Sequence, residues 1–381
     1  MGSWDCYCAI CGGPFVGVRI SQIPRTSHFL VRRAKEELEQ QKRKFEGQVF
    51  VSNTSEDDEG EDCNSESPNA NDEYGTYDCD IVSEADIKWI ETLHVIGAND
   101  AESGVSKVFI SGPGRYLDYG GVNVEAGSDP NIEGADVDTM SCYRDDDNEE
   151  TIFPFHWPCY ELLTRCITGS FAIDQLDKDI LFSVMRDLGP DIGSSLELDY
   201  GAVSLFQGQY FETCAGYEFI VSHPRDVPGI DGTILAMLEA KAFKPVVADV
   251  ALAPLVQIDP FMTIPYDNIH QICTFLAHTD VVNLSNASWP VHRSLRKNDQ
   301  FWRARVRTHL PWFFELHNHL NRLDTMFAMC DLDFKKLFLW AEKMTRPKRW
   351  TKVPWMGMAK RRNTWEVCEQ LKEKYLSLIC L

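Results

Sequence analysis

Cys8-Ala9-Ile10-Cys11-Gly12-Gly13-Pro14 sets two thiols three positions apart and follows them with a pair of glycines. That spacing lets both sulfurs meet one ion from a tight turn, and the glycines let backbone amides approach the sulfurs. Such a turn closes a metal shell only if two more ligands arrive from elsewhere. His156-Trp157-Pro158-Cys159 is the other compact His and Cys pair at that spacing, and Tyr160-Glu161-Leu162-Leu163 continues it as a helical pattern. Pro158 suits the first turn of that helix, which places Cys159 near the positive N-terminal end, where a thiolate is favoured. Cys8, Cys11, His156 and Cys159 are therefore the candidate ligands of a closed, structural Cys3His zinc site tying residue 8 to residue 159. Cys6 could displace Cys8 or Cys11, and Cys166 is a further rival. Plain buried thiols and a redox pair are the readings without a metal, although no strand of a βαβ unit precedes position 8 to suit a thioredoxin-like pair.

A chain of 381 residues predicts two or three packed units. With 44% hydrophobic and 25% charged residues it has the balance of a globular protein, and no stretch approaches the roughly 20 consecutive apolar residues of a membrane helix. Thirteen cysteines in a chain this long argue for reduced thiols rather than a secreted disulfide framework. Met1-Gly2-Ser3-Trp4-Asp5-Cys6 fits neither a signal peptide nor a myristoylation pattern, and Leu378-Ile379-Cys380-Leu381 is not a prenylation box. The expectation is a cytoplasmic or nuclear protein with no membrane partner.

Charge divides the chain. Residues 292–381 carry 19 Lys and Arg against 9 Asp and Glu, while the net charge of the whole is −21. The acidic majority repels phosphate backbones, so nucleic acid is an unfavoured partner for the first three quarters. Leu30–Gln48 is a charged, helix-prone run, and the segment of about 49–80, almost free of aliphatic residues, is expected to be a disordered acidic insertion. Order is expected to return with a capping box at Ser83 and Asp86 and a strand over Lys107–Ile110. An acidic loop over Glu125–Glu150, a helix carrying Leu181, Val184, Met185 and Leu188, and a strand over Tyr217–Val221 follow.

Residues 261–306 read FMTIPYDNIHQICTFLAHTDVVNLSNASWPVHRSLRKNDQFWRARV. Pro265 opens a helix in which Ile269, Ile272, Cys273 and Leu276 form one apolar stripe. Asp280 caps a second, with Val281, Leu284 and Ala287 inward, and Val291, Leu295, Trp302 and Val306 suit a third. Three short helices make a thin core, and Ile264, Pro265, Tyr266 and Phe275 are left as an apolar patch that invites a helical partner. Further helices fit Phe313, Leu316, Leu320 and Leu323, then Phe334, Leu337, Phe338 and Ala341, then Trp365, Cys368, Leu371 and Tyr375.

This segment resembles an F-box through Ile264-Pro265, Asp267, Ile269, Ile272, Leu276, Asp280, Leu284, Ala287-Ser288 and Phe301-Trp302, with Ile264 where the family more often has Leu. CAICGGPF, KVFISGPGRY, PFHWPCYELL and LPWFFEL look like landmarks of a large group of fungal F-box proteins. The resemblance implies a non-catalytic substrate-receptor subunit of a Skp–cullin–F-box ubiquitin ligase. On that reading Ile264, Pro265, Tyr266, Ile269, Ile272, Leu276 and Leu284 contact the Skp-type linker subunit, which joins the chain to a cullin, and the rest of the chain holds an unidentified client protein.

The fold expected is an α+β N-terminal part braced by zinc, then an all-α F-box and C-terminal helices. Its divisions are 1–170 with the insertion, an α/β continuation over 171–257, the F-box unit over 258–306 and a basic, Trp-rich helical region over 307–381. The alternatives are a zinc-stabilised interaction scaffold outside any ligase, a zinc enzyme, and nucleic-acid binding. The last would use Arg346, Lys348, Arg349, Lys352, Lys360, Arg361 and Arg362 among Trp350, Trp355 and Trp365. An enzyme would need an open metal position and a nearby base, and the sequence has no Gly-x-Ser-x-Gly, His-Glu-x-x-His or kinase motif set.

Overall fold

Ser83 opens the first helix, α1 (Glu84–Ile87), through the reciprocal bonds of a capping box: its hydroxyl accepts from the Asp86 amide while the Asp86 carboxylate accepts from the Ser83 amide. The computed structural model describes residues 5–22, 75–99, 106–132, 139–143, 151–189, 193–245, 258–296, 298–325 and 332–379. The charged run over 30–48 and the acidic segment up to residue 74 lie outside them. Two compact units emerge, one of Met1–Val227 with Pro347–Leu381, the other of Pro228–Arg346.

In the first unit, strands β1 (His94–Ala98), β2 (Val108–Ile110), β3 (Gly114–Tyr116), β4 (Gly121–Val124), β5 (Met140–Ser141) and β6 (Phe153–Phe155) form two antiparallel sheets, ordered β2-β1-β6 and β3-β4-β5. Ile96 faces Ile110 on one side and Phe153 on the other, so central β1 is apolar along its buried run Val95–Gly97. Helices α2 (Trp157–Thr168) and α3 (Lys178–Asp187) follow, the latter capped by the Asp177 carboxylate. Leu162, Leu163, Leu181 and Met185 are fully buried, as helical spacing requires of the inward faces.

Three expectations for this unit are corrected. Tyr217–Val221 is not a strand: Glu218–Val221 is a 3-10 turn with all four residues buried. A short apolar run has no periodicity to tell strand from turn, and here the Glu218 carboxylate accepts from the Gly216 and Asp78 amides, which folds the chain back on itself. The acidic insertion ends before residue 80, because Tyr77 is 0% exposed and exchanges backbone bonds with Arg19 and Ser21. One aromatic side chain in a core slot outweighs the polar average around it. The Glu125–Glu150 loop likewise contains structure, with Ile132, Cys142 and Tyr143 buried and β5 between them.

Among the described residues the regular elements of the second unit are all helical: α4 (Ile230–Glu239), α5 (Tyr266–Phe275), α6 (His278–Ala287), α7 (Trp289–Arg296), α8 (Asp299–His309), α9 (Phe314–Thr325) and α10 (Phe334–Thr345). The segment over 261–306 therefore holds four helices, not three. The Asn298 side chain accepts from the Phe301 amide and starts α8 afresh, which separates Val291 and Leu295 from Trp302 and Val306. Asp280 sits in the first turn of α6 rather than at its cap. Across the unit, Arg305 of α8 donates at 2.6 Å to the carbonyls of Cys273 and Leu276, satisfying the open C-terminal end of α5.

The chain then returns to the first unit as α11 (Trp355–Ile379), which lies against α2, α3 and the 218–221 turn. The region over 307–381 is thus divided at residue 347 rather than being one tail. Nor does α11 present the basic cluster to solvent. Lys360 and Arg361 are fully buried, and Arg361 donates from Nε to the Pro224 carbonyl at 2.6 Å and from its Nη2 to the Arg225 carbonyl at 2.9 Å. The nucleic-acid alternative loses those two charges. Among the described residues no helix is long and apolar enough to cross a membrane. Arg361→Met strands the buried Pro224 carbonyl and the partly buried Arg225 carbonyl and is expected to lower stability by about 2–4 kcal/mol in urea unfolding; a loss below about 0.5 kcal/mol would show that the guanidinium does not fasten α11.

Candidate metal centre and an uncovered apolar face

Residues 7–14 form a tight turn closed by a bridge between Tyr7 and Pro14, with the Cys8 amide donating to Gly13 and the Gly12 amide to Cys8. Gly12 has φ +65, and a Cβ there would come within 2.7 Å of the Tyr200 ring, so only glycine serves. Bonds that hold the turn from outside include Ala9 amide to Pro154 carbonyl, Tyr200 hydroxyl to Ala9 carbonyl, and Gln207 side-chain amide to Gly12 carbonyl. The first of these ties it to β6, and the last residue of β6 is followed at once by His156, the N-cap of α2, with Cys159 in the first helical turn. Strand end and helix start thereby bring the second ligand pair to the first.

Cys8, Cys11, His156 and Cys159 are all buried, and their donor atoms lie within 4.8 Å of one another. His156 Nδ1 is 3.7 Å from Cys11 Sγ. A tetrahedral ion with metal–sulfur and metal–nitrogen bonds of about 2.3 and 2.0 Å separates such atoms by about 3.5 Å. His156 Nε2 lies 3.1 Å from the Ile90 carbonyl, a bond that places the ring proton on Nε2 and leaves Nδ1 with its lone pair toward the sulfurs. The ring is packed between Phe15 and Trp89, with centroids 4.6 and 4.9 Å away. Backbone amides of His156 and Gly13 donate to Cys8 and Cys11 sulfurs, each at 3.4 Å, as thiolates require.

Electrostatics agree with a cation-binding pocket. Burial pushes the Cys11 thiol up, yet hydrogen bonds from Cys159 and Cys8, the Lys360 ammonium and His156 together hold it well below the ordinary thiol value. Cys159 is pushed well above it by burial and by its bonds to Cys11 and Cys8. Burial acts against charge on His156, but the negative sulfurs of Cys8 and Cys11 outweigh it and lift the imidazole to about 9. Donors gathered this closely draw protons to balance thiolate charge, and a divalent ion would displace those protons. The four residues fit a metal ion. The rival cysteines do not join them: the free Cys6 thiol lies beside the Cys142 thiol, and Cys166 lies near Cys368 and Lys372. Asp78, Cys79 and Asp80 also bring donors together, but they are consecutive residues of one turn whose Asp78 carboxylate already accepts from the Asp80 amide.

In the helical unit, the predicted apolar stripe of α5 divides. Ile269 and Cys273 are buried in the unit's own core, which removes Ile269 from any contact with a partner. Ile264, Leu276 and Leu284 are partly covered and Pro265 is open. Tyr266, Ile272 and Phe275 are 50%, 40% and 83% exposed, and Met262, which the sequence reading overlooked, is 53% exposed. Tyr266 and Phe275, nine residues apart, stand on opposite sides of α5 at its two ends, so Ile272 and Phe275 are the exposed apolar pair that share one side of the helix.

No protein-family model matches the chain, and neither the curated proteins nor the solved structures contain a match to it.

Proposed function

We propose that Cys8, Cys11, His156 and Cys159 hold one zinc ion as a closed structural centre. The observation that carries this reading is the convergence of three buried sulfurs and one imidazole whose second nitrogen is already bonded to Ile90. The bound ion supplies folding energy by joining the N-terminal turn to the β6–α2 junction; a fourth protein ligand leaves no position for water. Elemental analysis of purified protein is expected to give one zinc per chain, lost in Cys159→Ser. Cobalt substitution is expected to show thiolate charge-transfer bands and the intense visible bands of a tetrahedral site. Strong chelator, or acid that reprotonates the sulfurs, should remove the ion and melt the unit that contains it. Metal-free protein of unchanged melting temperature would refute the assignment.

We further propose that the chain is a non-catalytic substrate receptor whose F-box-like helices dock on the Skp-type linker of a cullin-based ubiquitin ligase, with a client bound elsewhere. The exposed side of α5 that carries Ile272 and Phe275, with Met262 in the turn before it, supports this reading: these residues expose apolar surface that a protein partner would remove from water. Held beside the ubiquitin-loading machinery, a client would gain in effective concentration without chemistry by this chain. Ile272→Asp with Phe275→Asp changes two exposed positions, so far-UV circular dichroism should be unchanged while linker and cullin peptides disappear from co-purified material. Retention of those peptides in the double variant would exclude this face. Their absence from wild-type material would favour an interaction scaffold outside the ligase.

A further inference from the structure

Lys360 is the one buried charge of the first unit's C-terminal segment for which the fold shows no conventional partner. It lies in the N-terminal half of α11, is 0% exposed, and its Nζ makes no hydrogen bond. Its neighbour Arg361 is satisfied by two carbonyls, and Asn363 by the Tyr200 carbonyl. A buried ammonium left alone costs several kcal/mol, so a compensating anion must be close.

Gly13 locates that anion. A Cβ built on Gly13 would lie 3.3 Å from Lys360 Nζ, 3.2 Å from Cys11 Sγ and 3.9 Å from His156 Cε1. Ammonium, thiolate and imidazole thus line one small space beside a residue that has no side chain. Charge counting gives the same answer. Three thiolates and a neutral imidazole around a divalent ion sum to −1, a net charge that is itself costly to bury. One ammonium brings the buried assembly to zero.

We propose that Lys360 is the counter-cation of the Cys3His centre, so that the C-terminal helix completes the site electrostatically although it supplies no ligand. The proposal rests on the zinc assignment above. It explains why a lysine, whose charge sits at the end of a flexible stem, occupies a fully buried helix position beside the glycine pair. It also makes the docking of α11 and the binding of zinc reciprocal: each stabilises the other.

The test is chelator competition for zinc on the full-length chain, comparing wild type with Lys360→Met, Lys360→Arg and, as a packing control on the same helix, Val367→Ala. Lys360→Met keeps the bulk and removes the charge; zinc affinity is expected to fall about 10- to 100-fold, the range found when groups that support metal ligands are lost. Lys360→Arg should recover most of it, and Val367→Ala should leave it within about twofold. Unchanged affinity in Lys360→Met, or an equal fall in Val367→Ala, overturns the proposal while leaving the metal centre intact. Absence of zinc from wild-type protein would instead remove the centre itself. A second measurement needs no variant: in cobalt-substituted wild-type protein, the isotope-labelled side-chain resonances of Lys360 should be strongly shifted or broadened by the paramagnetic ion. Resonances that stay unperturbed would place the ammonium away from the centre and defeat the proposal even where Lys360→Met fails to fold.

Discussion

The bond from the His156 amide to the Cys8 sulfur joins residues 148 positions apart, and the first unit is arranged around that closure. Closing so long a loop costs chain entropy that grows slowly with length, so a strong local attraction at its base can offset it whatever lies between. Most of the intervening residues between 23 and 74 are polar and acidic. What the closure requires is the pair of donor-bearing turns and the strand end that presents one of them. β6 does this twice over: Pro154 accepts from Ala9, and the strand stops where α2 begins, so His156 and Cys159 leave the sheet already pointing at the N-terminal turn.

The two donor pairs that converge were legible in the sequence because each is compact: a Cys-x-x-Cys turn with glycines and a His-x-x-Cys at a helix start carry their geometry in a few consecutive residues. So was the Ser83 capping box, and so were the helices whose inward residues repeat at three and four. What makes the site work from outside was not legible. Ile90, Phe15 and Trp89 position His156, and Tyr200 and Gln207 hold the turn, but none stands at a spacing that announces it. Glu218 illustrates the same limit for the fold. A carboxylate accepting two buried amides converts a strand-like apolar run into a turn, and nothing in the run itself records those amides.

In the helical unit, periodicity located α5 but could not say which part of its stripe faces inward. Ile269, Ile272, Cys273 and Leu276 fall on one arc of the wheel, yet Ile269 and Cys273 take the core side while Ile272 remains open. The decision is made by α7 and by Arg305, whose guanidinium occupies the C-terminal carbonyls of α5 and fixes how the helix is turned. An arginine holding a helix end is specified by contacts across some thirty residues, beyond the reach of any local pattern.

The basic last quarter carries the sharpest lesson about charge. Counting Lys and Arg over 292–381 suggests a positive surface, but Arg305, Lys360 and Arg361 are buried and face carbonyls or the thiol cluster. A buried cation contributes little to the long-range field that steers polyanions, because its potential is balanced within a few ångströms by the dipoles or anions that made its burial tolerable. Net charge along a sequence therefore measures affinity for phosphate backbones only where the charges reach water. In α11 the positive excess acts inward: Arg361 fastens the helix to the loop at Pro224 and Arg225, and Lys360 turns its ammonium toward Cys11 and His156. Two residues that read as part of a nucleic-acid tail when counted are, once placed, turned inward: Arg361 toward the 224–225 loop and Lys360 toward the N-terminal turn.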